Sequence, residues 1–335
     1  MFIPKANLFV GKEKSLDALD ETTGSENTSW VDSSRCDSSR LHRGAVCGEQ
    51  VLREVTDLCL MPAPIPLRLH PRLSLSAPAH VIHLRQAQRY LVKASINGQS
   101  TALLIDSGST KATLPSANAK KMGLMGLVRG YRREMIRFMD GLREVKVALL
   151  RPVTVVLDGA VEAVVEFSVM PEDFGCFHIG LLPNTILTEF GCYYQFHPNG
   201  DASLNFRRLR TPGLKHGETL YHTVYFLQCV DQARGATKNV LVDSGAIHNF
   251  AGPELMAGAH RLNVKLFQTA GQQLCLEQVR LKPLGPIHMI AGTIFMTQYR
   301  AIVDFGTLQA FFYLGGRYYV VPVVESGPSY PSISN

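Results

Sequence analysis

Two carboxylates stand in matching settings far apart in this chain. Ala102-Leu103-Leu104-Ile105 runs into Asp106-Ser107-Gly108-Ser109, and Val240-Leu241-Val242 runs into Asp243-Ser244-Gly245-Ala246. A single Asp-Ser-Gly is ordinary turn chemistry. Two copies, each after an apolar run of strand type and each followed by a small residue, point to an internal repeat. Carboxylates held together cannot both be ionised, so they share a proton; one then acts as base toward a water molecule and the other as acid. That is chemistry suited to amide hydrolysis. Gly108 and Gly245 allow the loops to turn with no side chain in the way, and the Ser107 and Ser244 hydroxyls are able to lock the two loops together. Ser109 is able to donate a hydrogen bond to its neighbouring carboxylate and Ala246 is not. This predicts Asp106 as the more readily ionised partner and Asp243 as the more readily protonated one.

The elements that must position these residues are hairpins. Ile82 and Leu84, then Tyr90, Val92, Ala94 and Ile96, alternate at period two before Asn97-Gly98, and Ala102 to Ile105 forms the return strand. Ser116 to Met122 reads as a short helix ending at Gly123, followed by hairpins around Asp140-Gly141 and Asp158-Gly159. The pattern restarts with Thr223 to Leu227 and Val240 to Val242, then Pro253 to Ala259 in place of the helix and a hairpin around Ala270-Gly271. Both units close with an apolar stretch, a glycine (Gly180 or Gly292), a short helix and a strand. We therefore expect an all-β chain with short helices: a first lobe over 81–210 and a second, shorter lobe over 218–325. Residues 1–80, polar up to Arg40 and then carrying Pro62, Pro64, Pro66 and Pro71, read as a flexible, largely disordered N-terminal extension.

Composition narrows the chemistry. The 335 residues are 46% hydrophobic and 19% charged, enough for two lobes with a buried core. The formal charge of +6 is scattered, and no zinc knuckle or basic-aromatic tract occurs, so nucleic acid is an unexpected partner. Seven cysteines without a Cys-x-x-Cys pair suggest neither a disulfide framework nor a zinc site, and no metal or cofactor is expected. With no signal peptide or membrane span evident, the expected setting is intracellular, cytoplasmic or nuclear. His248 reads as a polar turn residue and Asp304 as a strand end.

Val242-Asp243-Ser244-Gly245-Ala246-Ile247-His248-Asn249-Phe250 and Leu104-Ile105-Asp106-Ser107-Gly108-Ser109-Thr110, together with the segments around Gly180 and Gly292, resemble the retropepsin-like aspartic proteases, above all those of long-terminal-repeat retrotransposons. The resemblance implies acid-protease β-barrel lobes with Asp106 and Asp243 at their interface. It also implies flaps over a polypeptide substrate, with tips at Asp140-Gly141 and Ala270-Gly271, or ordinary hairpin turns there. Two lobes in tandem imply a monomeric pseudo-dimer. One departure is visible: Asp106 to Gly180 spans 74 positions and Asp243 to Gly292 only 49, as though the second lobe lacked the stretch matching Val153 through Val169. Besides an endopeptidase, the sequence accommodates an inactive retropepsin-fold binding module derived from a retroelement, or an active homodimer using only the first lobe.

Overall fold

The computed structural model describes residues 60–61, 68–70, 73, 75–88, 90–138, 141–171, 179–210, 224–231, 236–252, 261–269, 272–282, 284 and 287–326. Among these described residues it is built almost wholly of strands in two sheets, with three six-residue α-helices. Among the described residues no helix is long and apolar enough to cross a membrane.

Three strands precede the first hairpin: β1 (Leu60–Met61), β2 (Arg68–His70) and β3 (His80–Leu84). β4 (Leu91–Ile96) and β5 (Gln99–Ile105) are joined by Asn97-Gly98, both at positive φ, the geometry a tight two-residue hairpin needs. Then come β6 (Thr113–Pro115), helix α1 (Ser116–Lys121), β7 (Val128–Phe138), β8 (Gly141–Leu150), β9 (Val153–Leu157), β10 (Val161–Val165), β11 (Ser168–Met170) and β12 (Gly180–Leu182). These form a nine-stranded sheet in the order β10-β9-β4-β5-β12-β6-β11-β8-β7. β5 lies between antiparallel β4 and parallel β12, which buries all of Leu103, Leu104 and Ile105 in place of the alternation seen in β4.

Helix α2 (Asn184–Glu189) leads into β13 (Tyr193–Phe196) and β14 (Ala202–Phe206). The second half contains β15 (Val224–Asp231), β16 (Ala236–Val242), β17 (Phe250–Ala251), β18 (Arg261–Thr269), β19 (Gln272–Leu281), β20 (Met289–Ala291), helix α3 (Thr293–Gln298), β21 (Ile302–Asp304), β22 (Gln309–Leu314) and β23 (Arg317–Ser326). Its strands join β13, β14 and β3 in a fourteen-stranded sheet.

The halves share a plan. β5 runs parallel to β12, with Leu103, Leu104 and Ile105 opposite Gly180, Leu181 and Leu182; β16 runs parallel to β20, with Val240, Leu241 and Val242 opposite Met289, Ile290 and Ala291. This register corrects one expectation. Gly180 opens β12, whereas Gly292 follows β20 and precedes α3, so the two glycines are not counterparts; Gly292 corresponds to Pro183. The shorter spacing in the second half reflects a real difference among the described residues. β19 follows its hairpin partner and itself runs parallel to β17, the part β11 plays beside β6, and no counterpart of the β9–β10 hairpin is seen.

Two more expectations need correction. Each sheet is an open path, so closed barrels are not formed by the described ladders, whose outer strands do not pair back. β3 pairs with β14, a strand of the same expected first lobe, at the far end of the larger sheet. Part of the proline-rich segment is also structured: β1 pairs with β15 and β2 with β23, while residues 1–59 lie outside the described residues.

What joins the halves is β13 against β21, with Tyr193, Tyr194 and Gln195 opposite Asp304, Val303 and Ile302. Tyr194 and Val303 hold equivalent places after α2 and α3, so a local two-fold axis passes through that pair. A single buried apolar cluster extends from Val92 and Leu103 through Phe206 to Leu227, Phe295 and Phe312.

Candidate active site

Each Asp-Ser-Gly loop leaves a buried strand and is fixed at both ends by backbone bonds. The Asp106 amide donates to Leu182 O at 2.9 Å and the Asp243 amide to Ala291 O at 3.1 Å. The loops then turn back, with the Ser109 amide donating to Asp106 O at 3.1 Å and the Ala246 amide to Asp243 O at 3.3 Å. Their exits are held by the following helices, whose first amides, Asn184 and Thr293, donate to Ser109 O at 2.9 Å and Ala246 O at 2.8 Å.

The two loops meet face to face. The Ser107 amide donates to Ser244 Oγ at 3.0 Å and the Ser244 amide to Ser107 Oγ at 2.8 Å. Each hydroxyl then donates across the pair, Ser107 Oγ to Val242 O at 2.8 Å and Ser244 Oγ to Ile105 O at 3.0 Å. Four reciprocal bonds thus satisfy buried groups of both loops. Gly108 and Gly245 are required by close approach: a Cβ on Gly108 would lie 2.7 Å from Asp243 Cγ, and one on Gly245 would lie 2.7 Å from Asp106 Cγ. The structure therefore brings Asp106 and Asp243 together, both with no exposed surface.

The electrostatics are asymmetric. Asp243 Oδ1 accepts from the Gly245 amide at 2.8 Å and the Ala246 amide at 3.0 Å, while Asp106 Oδ1 accepts from Gly108 at 2.9 Å and the Ser109 amide approaches it more loosely. Burial, and then the neighbouring charge of Asp243, hold the Asp106 carboxyl well above the usual carboxylate range. Burial pushes Asp243 up only to about 6, because a hydrogen bond from Asp106 and the two amides favour its ionised form. Ser109 does not take the part that its sequence setting predicts. Its hydroxyl donates to Lys111 O at 3.0 Å, so it is spent on its own turn and not on the carboxylate. Oδ2 of each aspartate is buried without a hydrogen-bond donor.

The remaining predicted residues divide. Gly141 opens β8 opposite Phe138 at the tip of the β7–β8 hairpin; Asp140, Ala270 and Gly271 lie outside the described residues, as do Pro253 to Ala259. β18 and β19 pair up to Thr269 and Gln272, forming the corresponding hairpin. Gly180 is packed between the Leu103 and Leu114 side chains, and Gly292 against Ala246 O, 2.8 Å from where its Cβ would stand. The Gly292 amide donates to Asn249 Oδ1 at 3.0 Å. Asp304 ends β21, as its sequence setting suggests, but also forms a two-pronged ion pair with Arg207 at 2.6 and 2.7 Å.

Sequence reasoning missed three supports. Tyr194 donates its buried hydroxyl to Ile105 O at 2.8 Å, the carbonyl that Ser244 also contacts. Lys111, just beyond the first loop, pairs at 3.0 Å with buried Glu134 on β7 and so ties that loop to the hairpin. Arg207 bridges the halves and also donates to Gly191 O at 2.6 Å. Each is a lone polar residue in a strand or turn, and only the buried partner distinguishes it. Among the described residues no cluster of three His, Cys, Asp or Glu side chains could hold a metal.

Residues 92–187 match the family model "gag-polyprotein putative aspartyl protease", a span that contains Asp106 and not Asp243. Among curated proteins none matches the chain significantly. Over residues 92–187, then, the chain is similar to aspartyl protease domains of gag polyproteins.

Proposed function

We propose that the chain is an aspartic endopeptidase whose single site is built from Asp106 and Asp243 within one chain, as a monomeric pseudo-dimer of two retropepsin-like lobes. The observation that carries this reading is the reciprocal Ser107–Ser244 lock, which holds each glycine against the opposite carboxylate. The family match supports the protease chemistry for the first lobe, and the shared parallel-strand register supports extending it to the second.

In the reaction, ionised Asp243 removes a proton from water as the water oxygen attacks the scissile carbonyl. Protonated Asp106 donates its proton to the carbonyl oxygen, giving a neutral tetrahedral gem-diol. Asp106 then takes a proton back from a hydroxyl as the carbonyl re-forms, the C–N bond breaks, and Asp243 passes its proton to the departing amine. The pH dependence follows from the two carboxyls. As pH falls through about 6, Asp243 becomes protonated and the base is lost; at higher pH Asp106 loses its proton and the acid is lost. The substrate class is an extended polypeptide with apolar side chains around the scissile bond.

Asp106→Asn and Asp243→Asn are each expected to lower peptide hydrolysis at least about a thousandfold, and pepstatin-type hydroxyl mimics to inhibit the wild type. Activity surviving in Asp243→Asn, in a species with twice the chain mass, would instead support a homodimer of first lobes. The lack of a counterpart of β9–β10 among the described residues favours a binding module as the second reading, which an inactive wild type would support.

A further inference from the structure

In the first half, the edge of β4 is covered by its own hairpin. Ala94, Ser95 and Ile96 pair with Leu157, Val156 and Val155 of β9, and the ladder is extended by Asp158 N to Lys93 O at 2.8 Å and Asn97 N to Thr154 O at 3.1 Å. In the second half that hairpin is missing among the described residues, which would leave the equivalent edge of β15 with open main-chain groups. Superposing the two registers through the Asp loops places Ala94, Ser95 and Ile96 on Cys229, Val230 and Asp231. The strand found there is β1, with Met61 opposite Val230 and Leu60 opposite Asp231, antiparallel as β9 is to β4. β23 covers the rest of this edge, pairing with Val224 to Leu227, and β2 pairs in turn with β23 at Tyr318 to Val320.

We propose that β1 and β2 act as integral donated strands: β1 stands in for the hairpin missing among the described residues, and together they complete the second half from the N-terminal side. Main-chain ladder bonds supply the recognition, as in strand addition to an open sheet edge. The effect reaches the dyad through one intervening strand, because β16, the other neighbour of β15, runs directly into Asp243. A cut upstream of Leu60 leaves this ladder whole, and loss of Leu60 and Met61 opens the β15 edge and loosens the strand that leads into Asp243.

Hydrogen exchange in the full chain carrying Leu60→Pro and Met61→Pro tests this, since proline removes ladder donors. The amides of Cys229 to Asp231 are expected to exchange at least about tenfold faster, with those of Lys93 to Ile96 unchanged. Equal behaviour of the two strands, whether both unchanged or both faster, overturns the proposal. A synthetic peptide of residues 56–71 added in excess is expected to restore protection of β15; failure to restore it also overturns the proposal. Only the accompanying loss of peptide hydrolysis rests on the protease reading. A wild type without activity would defeat that reading and leave the exchange result decisive for this one.

Discussion

The loops at Asp106 and Asp243 are nearly superposable in their bonding, whereas the halves that carry them are not. Both aspartates donate their amides to a parallel neighbour strand, both loops close on their own carbonyl, and both exits are capped by the first amide of a short helix. Yet the first half has a β9–β10 hairpin that the described second half lacks, and it uses β11 where the second uses the end of β19. Even this substitution preserves one bond: the Ser168 amide donates to Ala112 O and the Arg280 amide to Asn249 O, each at 3.0 Å and each at the matching place. The geometry of a loop is thus set by its immediate neighbours and by the opposite loop, and strands further out can be exchanged for others.

The comparison is sharpened first at the join between the halves. Arg207 pairs with Asp304 on one side of the local two-fold axis, while Gln195 holds the related position on the other. Arg207→Met leaves the Asp304 carboxylate, only 3% exposed, with the amides of Gly306 and Thr307 and no cation. The expected cost is about 2–4 kcal/mol in denaturant unfolding. Gln195→Met is expected to cost less than about 1 kcal/mol, and equal costs would show that the join is symmetric after all.

A smaller effect tests the lock itself. Ser107→Ala and Ser244→Ala each remove a donor to a carbonyl and an acceptor for a buried amide, at an expected cost of about 1–3 kcal/mol apiece. Because the bonds are reciprocal, the double variant is expected to cost less than the sum of the two, measured as a double-mutant cycle. Additive costs would mean that the two loops are held independently.

The smallest effect concerns the residue after each glycine. Ser109→Ala removes a bond to Lys111 O and none to the carboxylate, so the acid limb of the activity profile, set by Asp243 near 6, is expected to stay in place. Stability is expected to change by no more than about 1 kcal/mol in the same unfolding assay. A displaced limb would restore the order of ionisation that the sequence suggests.

The contrast between loops and lobes also explains what could be read from the chain. The triplets, the Asn97-Gly98 hairpin and helix α1 are local, fixed by turn chemistry and apolar period within a few residues. The missing hairpin was legible as a shortened spacing. Register was not: Gly180 and Gly292 look alike in sequence and differ by three places in the ladder, because parallel pairing is decided by distant partners. The same applies to β1, β2 and β3, whose partners lie more than a hundred positions away in the chain. At the site, the identities of the aspartates, serines and glycines were readable. The roles of Lys111, Arg207 and Tyr194 were not, since each depends on one long-range contact.

The central claim is that Asp106 and Asp243 titrate as one unit inside a single chain. Isotope-edited NMR of the Asp243 carboxyl, in the wild type and in Asp106→Asn, tests it without any substrate. The account predicts that the Asp243 titration, near 6 in the wild type, moves clearly when its partner is replaced, in a species of one chain's mass. An Asp243 that titrates identically in both proteins would contradict it.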